Sequence, residues 1–195
     1  MLPALILLTC LGHVGAEGTP PPSAIVLPEP HFVAQPSDPP WLVQVAQFHG
    51  HLGPSVVAGT RFGLAGLRAA GARGFFDVEV TCEGPFVKPP QSCFLDGLQL
   101  GTGATLGKRS INWVPADAIL VRVKNTRSGK TVELRPTPQL LELLGSLKKA
   151  AKTTATAQED HEHGGHAQSP VESLARKIAA MSDAELLVVR VTTEP

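Results

Sequence analysis

The chain has 195 residues, 43% of them hydrophobic, enough to bury a substantial core in one domain and too few for a second full domain. Lys plus Arg and Asp plus Glu both number 17, so the formal charge is zero. No basic stretch is interleaved with aromatics, which argues against nucleic acid as a partner.

Residues 1–16, MLPALILLTCLGHVGA, carry an apolar run from Leu2 to Leu11, followed by Val14 and Ala16 at the spacing of a signal-peptidase site. The run is too short to span a bilayer, so the expectation is a secretory signal removed after Ala16. A retained anchor and a lipidated Cys10 are the competing readings. The expected mature protein is exported, periplasmic or extracellular, with no transmembrane span. It keeps Cys82 and Cys93, enough for one disulfide in an oxidising compartment.

Residues 17–40 are too rich in proline for a helix or a central strand and read as an extended linker. The ordered domain is expected over 41–195, starting with a helical turn or two from Trp41 to Phe48, capped by Asp38 or Ser37. After Pro54, SVVAGTRFGLAGLRAAG has the spacing of a buried helix stopped by Gly71. Its small residues, Gly59 and Gly66 among them, would let a neighbouring backbone come close.

The alternation from Phe76 to Cys82 predicts a half-buried strand, followed by a proline-rich loop. SCFLDGLQL predicts a short helix capped by Ser92, and GTGATLGK a glycine-rich turn. DAILVRVKN and KTVELRP, separated by TRSG, predict an antiparallel hairpin. TPQLLELLGSLKKAAK predicts an amphipathic helix capped by Thr137. Residues 153–168, with His161, His163 and His166, read as a solvent-exposed insertion in which loose metal binding competes with a plain linker. Capping signatures at Ser169 and Ser182 then introduce a helix and the final strand ELLVVRVT. This mixed order of elements predicts an α+β fold.

The chemistry concentrates in FHGHLGP, Phe48 to Pro54. Residues two apart point about 200° apart in an α-helix, so His49 and His51 converge only where the chain leaves it, and Gly50 makes that easy. Neutral imidazoles there would suit zinc or a similar metal; one histidine bonded to a carbonyl and the other solvated is the alternative. Cys93 opens its predicted helix, where the dipole would favour thiolate and make it a third ligand. A Cys82–Cys93 disulfide competes with that role. Asp96 is placed to orient a ligand histidine, or to act only as a helix-start carboxylate. GTGATLGK lacks the Walker spacing, although Lys108 and Arg109 could meet a small anion.

Together, FHGHLGP, SCFLDGLQ and TGATLGK resemble the FmdE family, named for a component of formylmethanofuran dehydrogenase, in its order of motifs, from about Trp41 to Val191. The resemblance implies an FmdE-like mixed sheet packed against helices, in a homodimer, without the zinc module that some members add. It implies a divalent transition metal, zinc foremost, on His49, His51 and Cys93, with Asp96, Gln99, Thr102 and Lys108 in the neighbouring ligand-binding motif. Many members carry cysteine where this chain has Gly53 and Ala104, so the pocket is poorer in thiols and a redox role does not simply transfer. The readings this leaves are a metal- or small-ligand-binding protein, a metal-assisted enzyme of unstated reaction, and a structural or partner-binding domain.

Overall fold

The computed structural model describes residues 26–154 and 169–192. The expected signal, residues 1–16, and the histidines of the insertion lie outside the described residues. The helix expected after Pro54 is α2 (Pro54–Ala70), and Gly71 ends it in the left-handed conformation. It follows α1 (Pro40–His49), which Gly50 stops at φ 88°. Then come β1 (Val78–Gly84), α3 (Cys93–Thr102), β2 (Ile111–Pro115), β3 (Leu120–Asn125), β4 (Thr131–Pro136) and α4 (Pro138–Thr154). The chain closes with α5 (Pro170–Ala180), α6 (Asp183–Leu186) and β5 (Leu187–Thr192).

The five strands form one sheet in the order β2-β1-β3-β4-β5. Only β1 and β2 run parallel, joined through α3; the other neighbours are antiparallel. Alternation in β1 and β3 buries Val78, Val80, Cys82, Val121 and Val123 on the helix side. On the other face Arg122 bridges Glu83 and Glu133 across three strands. The fold is therefore α+β with a mixed sheet, as the order of elements implied.

At the centre α2 packs on β3 and β4 and is flanked by α3 and α5. A Cβ on Gly66 would lie 2.6 Å from Val123 Cγ2, so the helix rests its backbone on the sheet. Towards α3 the approach is closer still. A Cβ on Gly59 would stand 2.0 Å from the Phe94 carbonyl oxygen, and one on Gly97 2.0 Å from that of Val56. Gly101 faces the Thr60 carbonyl in the same way, at 2.5 Å. Two helices can approach to backbone contact only where neither carries side chains at the crossing.

Several local expectations are corrected. The N-cap of α1 is Pro39, with no side-chain cap; the Asp38 carboxylate instead accepts from the Gln35 N–H and from Arg176. Ser92 precedes α3 but does not cap it by side chain, because it already has helical dihedrals and the Phe94 N–H donates to the Gln91 carbonyl. Strand β2 is an addition to the expected elements: five residues ending in Pro115 on a sheet edge give too short an alternation to signal it. Thr137 does cap α4 through the Leu140 N–H, and Ser182 with Glu185 forms a complete capping box. At Ser169 only half the box forms, since the Glu172 carboxylate is taken by Arg176.

The proline-rich segment lies along the body over its described part. Arg176 on α5 donates to the Val33 carbonyl and to both Asp38 oxygens, and lies 5.5 Å from the Phe32 ring centroid. The His31 N–H donates to the Gly50 carbonyl at 2.7 Å, forming an isolated bridge with His51.

These contacts set the expected cost of substitution. Gly97→Ala should cost about 3 kcal/mol or more, because its methyl meets backbone that cannot yield. Gly145→Ala on α4, with nothing within 4 Å, should be neutral or gain about 0.5–1 kcal/mol; urea unfolding of both checks the contrast. The Arg176 guanidinium holds the Asp38 carboxyl below the usual carboxylate range, with burial opposing and the Gln35 N–H assisting. A depressed folded-state pKa means stabilisation that is full above the unfolded value, about 3.9, and is lost as pH falls through the folded one. Asp38→Asn should therefore cost about 1–3 kcal/mol at neutral pH, a difference that narrows below about pH 4 in acid titrations of unfolding.

Candidate functional site

His49 is the last residue of α1, and Asp96 lies in the first turn of α3. The Gly59 and Gly97 contact sets α3 against the first turns of α2, directly after the loop that carries the histidines. As a result His49 Nδ1 stands 2.8 Å from Asp96 Oδ2 across 47 residues of sequence. A carboxylate accepts only, so Nδ1 carries the proton and, in the neutral ring, Nε2 keeps its lone pair. That Nε2 is buried and has no hydrogen-bond partner.

His51 follows the left-handed Gly50, and its ring centroid lies 4.7 Å from that of His49. The helix end and the glycine thus produce the convergence that helical spacing forbids. Burial pushes the His51 pKa down, with the His49 and His31 charges adding to the effect and Glu172 opposing it. A neutral imidazole is the form that binds metal. Gly53 packs closely on this ring: a Cβ there would be 3.2 Å from His51 Nε2, nearer than a side chain ordinarily stands.

Next to His49 lies a cavity of about 320 Å³, lined by Cys93, Asp96, Gln99, Asn112 and Trp113 with Leu95, Leu106 and Ile111. Gln99 Oε1 accepts from the Leu106 N–H at 3.3 Å, and Trp113 Nε1 donates to the Gly84 carbonyl. The fold thus brings His49, Cys93, Asp96 and Gln99 to one wall. It places Thr102 and Lys108 elsewhere. Thr102 is buried, its hydroxyl donating to the Leu98 carbonyl and accepting from the Ala104 N–H. Lys108 Nζ donates to the Gly103 carbonyl and faces the Phe75 and Phe76 rings. Asn112 and Trp113 carry no signal in the sequence because β2 carries none, and His31 is masked by the prolines of its segment.

Cys82 and Cys93 are both free thiols. Burial pushes both thiols up, Glu83 adding to it at Cys82 and Asp96 at Cys93, whose own backbone N–H works the other way. The thiolate expected at the start of α3 is thus disfavoured by desolvation and a nearby carboxylate. Among the described residues no three His, Cys, Asp or Glu side chains converge as a ligand set. The donors fit a metal in chemistry, with one oriented and unpartnered imidazole nitrogen and a second neutral ring beside it; Cys93 lines the same cavity as His49.

An α+β domain with a histidine–carboxylate pair at the joint of its first two helices is the class these observations define. The family model described as "FmdE, Molybdenum formylmethanofuran dehydrogenase operon" matches residues 48–188, and the chain belongs to the FmdE family. No curated protein matches the chain. Among solved structures it is similar to a tungsten formylmethanofuran dehydrogenase FmdE-like protein from Syntrophus aciditrophicus, at 17% identity and a TM-score of 0.48, over 80% of this chain and 71% of the other. Among the described residues no helix is long and apolar enough to cross a membrane.

In metal-free protein the Cys93 thiol should alkylate with a pH midpoint above that of an ordinary cysteine, about 8.5, and Asp96→Asn should bring the midpoint down. Iodoacetamide rates across pH, with Cys82→Ala isolating the signal, measure both.

Proposed function

We propose that this FmdE-family protein is an exported binder of a divalent transition metal, zinc foremost, with His49 and His51 as imidazole ligands. The observation that carries this reading is His49 Nε2, buried without a partner while Nδ1 is fixed on Asp96. An unsatisfied buried polar nitrogen is costly, and a carboxylate on the opposite ring nitrogen is the usual support of a metal-bound histidine. His51 contributes its neutral ring, and Cys93 is the thiol that a nearby cation would help to deprotonate. Gln99 and Asn112 offer amides to a small polar ligand in the cavity, against the apolar side chains of Leu106, Ile111 and Trp113.

A bound ion with an open position would supply a polarised water or carbonyl, which is the enzymatic version of the same site. The size of the cavity beside His49 favours keeping that version. The disulfide reading has less behind it, since Cys82 lies buried in β1 and both thiols are free.

Metal analysis of the mature protein is expected to give about one equivalent of zinc per chain, lost in His49→Ala and His51→Ala, with Asp96→Asn weakening affinity about 10–100-fold. Stoichiometric metal retained in both histidine variants would remove the site. A thiol count in denaturant without reductant should find both cysteines free.

A further inference from the structure

Two turns meet beside the proposed metal site, at residues that it does not use as ligands. One, residues 71–77, joins α2 to β1; the other, residues 103–110, follows α3. The Phe75 N–H ties the first turn to the end of α3 by donating to the Thr102 carbonyl at 2.9 Å, and within the second turn Lys108 Nζ donates to the Gly103 carbonyl at 2.7 Å. Lys108 Nζ lies 5.2 and 5.0 Å from the centroids of the Phe75 and Phe76 rings. Both phenyls stand in solvent, Phe75 62% and Phe76 85% exposed, and Leu106 on the second turn is 72% exposed.

The charge on these turns has one sign. Arg73, Lys108 and Arg109 are exposed on them, and their sole carboxylate, Asp77, is buried and accepts from the Arg73 and Gly74 N–H groups. Among the described residues no carboxylate pairs with Lys108 or Arg109. Phe75 and Arg109 also hold φ angles of 61° and 55°, a left-handed backbone that bulky residues rarely keep without a return. Exposed phenyls cost solubility, and nothing in the described core needs them there.

We propose that this corner is a membrane-docking tip that binds the surface of a bilayer containing anionic phospholipid. Apolar side chains at the ends of turns, with cations at the same level, match the boundary between acyl chains and phosphates: the rings enter and the cations meet the headgroups. Because the chain carries no net charge, attraction must be local to this tip and must fall with salt. Leu106 also lines the His49 cavity, so the two surfaces adjoin at that residue.

Co-sedimentation of the full mature chain with vesicles tests the assignment. Binding is expected to vesicles of phosphatidylcholine containing about one third phosphatidylglycerol, and to be about tenfold weaker to phosphatidylcholine alone or in high salt. Phe76→Asp and Lys108→Glu should each lower it about tenfold or more, while Val87→Asp, at another exposed apolar residue, should leave it unchanged. Phe76→Asp should keep the wild-type melting temperature and metal content, so the result is independent of the metal site. No binding to the anionic vesicles, or binding that survives Phe76→Asp, would overturn the proposal. So would light scattering showing that Phe76→Asp splits a dimer, which would make the tip an interface between copies.

Discussion

Everything in this molecule is arranged around the backbone contact between α2 and α3. Where Gly59 meets the Phe94 carbonyl and Gly97 meets that of Val56, two helices touch without side chains between them. The contact gives up the helix propensity of several glycines, each about 1 kcal/mol against alanine, and gains close packing over two helices. It also fixes register. With α3 held one backbone away from the start of α2, the first turn of α3 can only lie beside the loop between α1 and α2. The His49–Asp96 pair is the chemical result of that steric fact.

The same geometry explains why the local electrostatics differ from those of an isolated helix start. Cys93 occupies a position where a dipole should draw out its proton, yet the approach of the helices desolvates it and brings the Asp96 carboxylate near. The carboxylate that orients His49 is therefore also one that holds the thiol protonated. One residue serves a metal-binding imidazole and restrains the neighbouring sulfur, so the two donors answer differently to an approaching cation.

Much of this was legible in the sequence where pattern and chemistry agree locally. The buried helix over Pro54–Ala70, the hairpin of β3 and β4, the caps at Thr137 and Ser182 and the mixed order of elements all carry short-range signals. For Asp96 the sequence left two roles open, orienting a histidine or serving only the helix start, and the His49 contact across 47 residues is visible in the structure alone. Less legible were features set by distant partners. Asp38 looks like a cap until Arg176, 138 residues away, claims it. Strand β2 is a strand because β1 lies beside it, not because INWVP alternates. Thr102 and Lys108 belong to the motif in sequence but turn away from the cavity, since the left-handed Gly103 redirects the chain between them.

Arg61 and Arg176 together have a consequence for how α5 is held. Arg61 on α2 holds the end of α5 through the Ile178 and Ala179 carbonyls and Asp183, while Arg176, within α5, ties the helix to the segment around Asp38. The position of α5 is thus set by contacts with the body rather than by the stretch leading into it from α4. A helix anchored by an arginine of the body and by one of its own keeps its place, and with it one flank of α2, whatever the chain before it does.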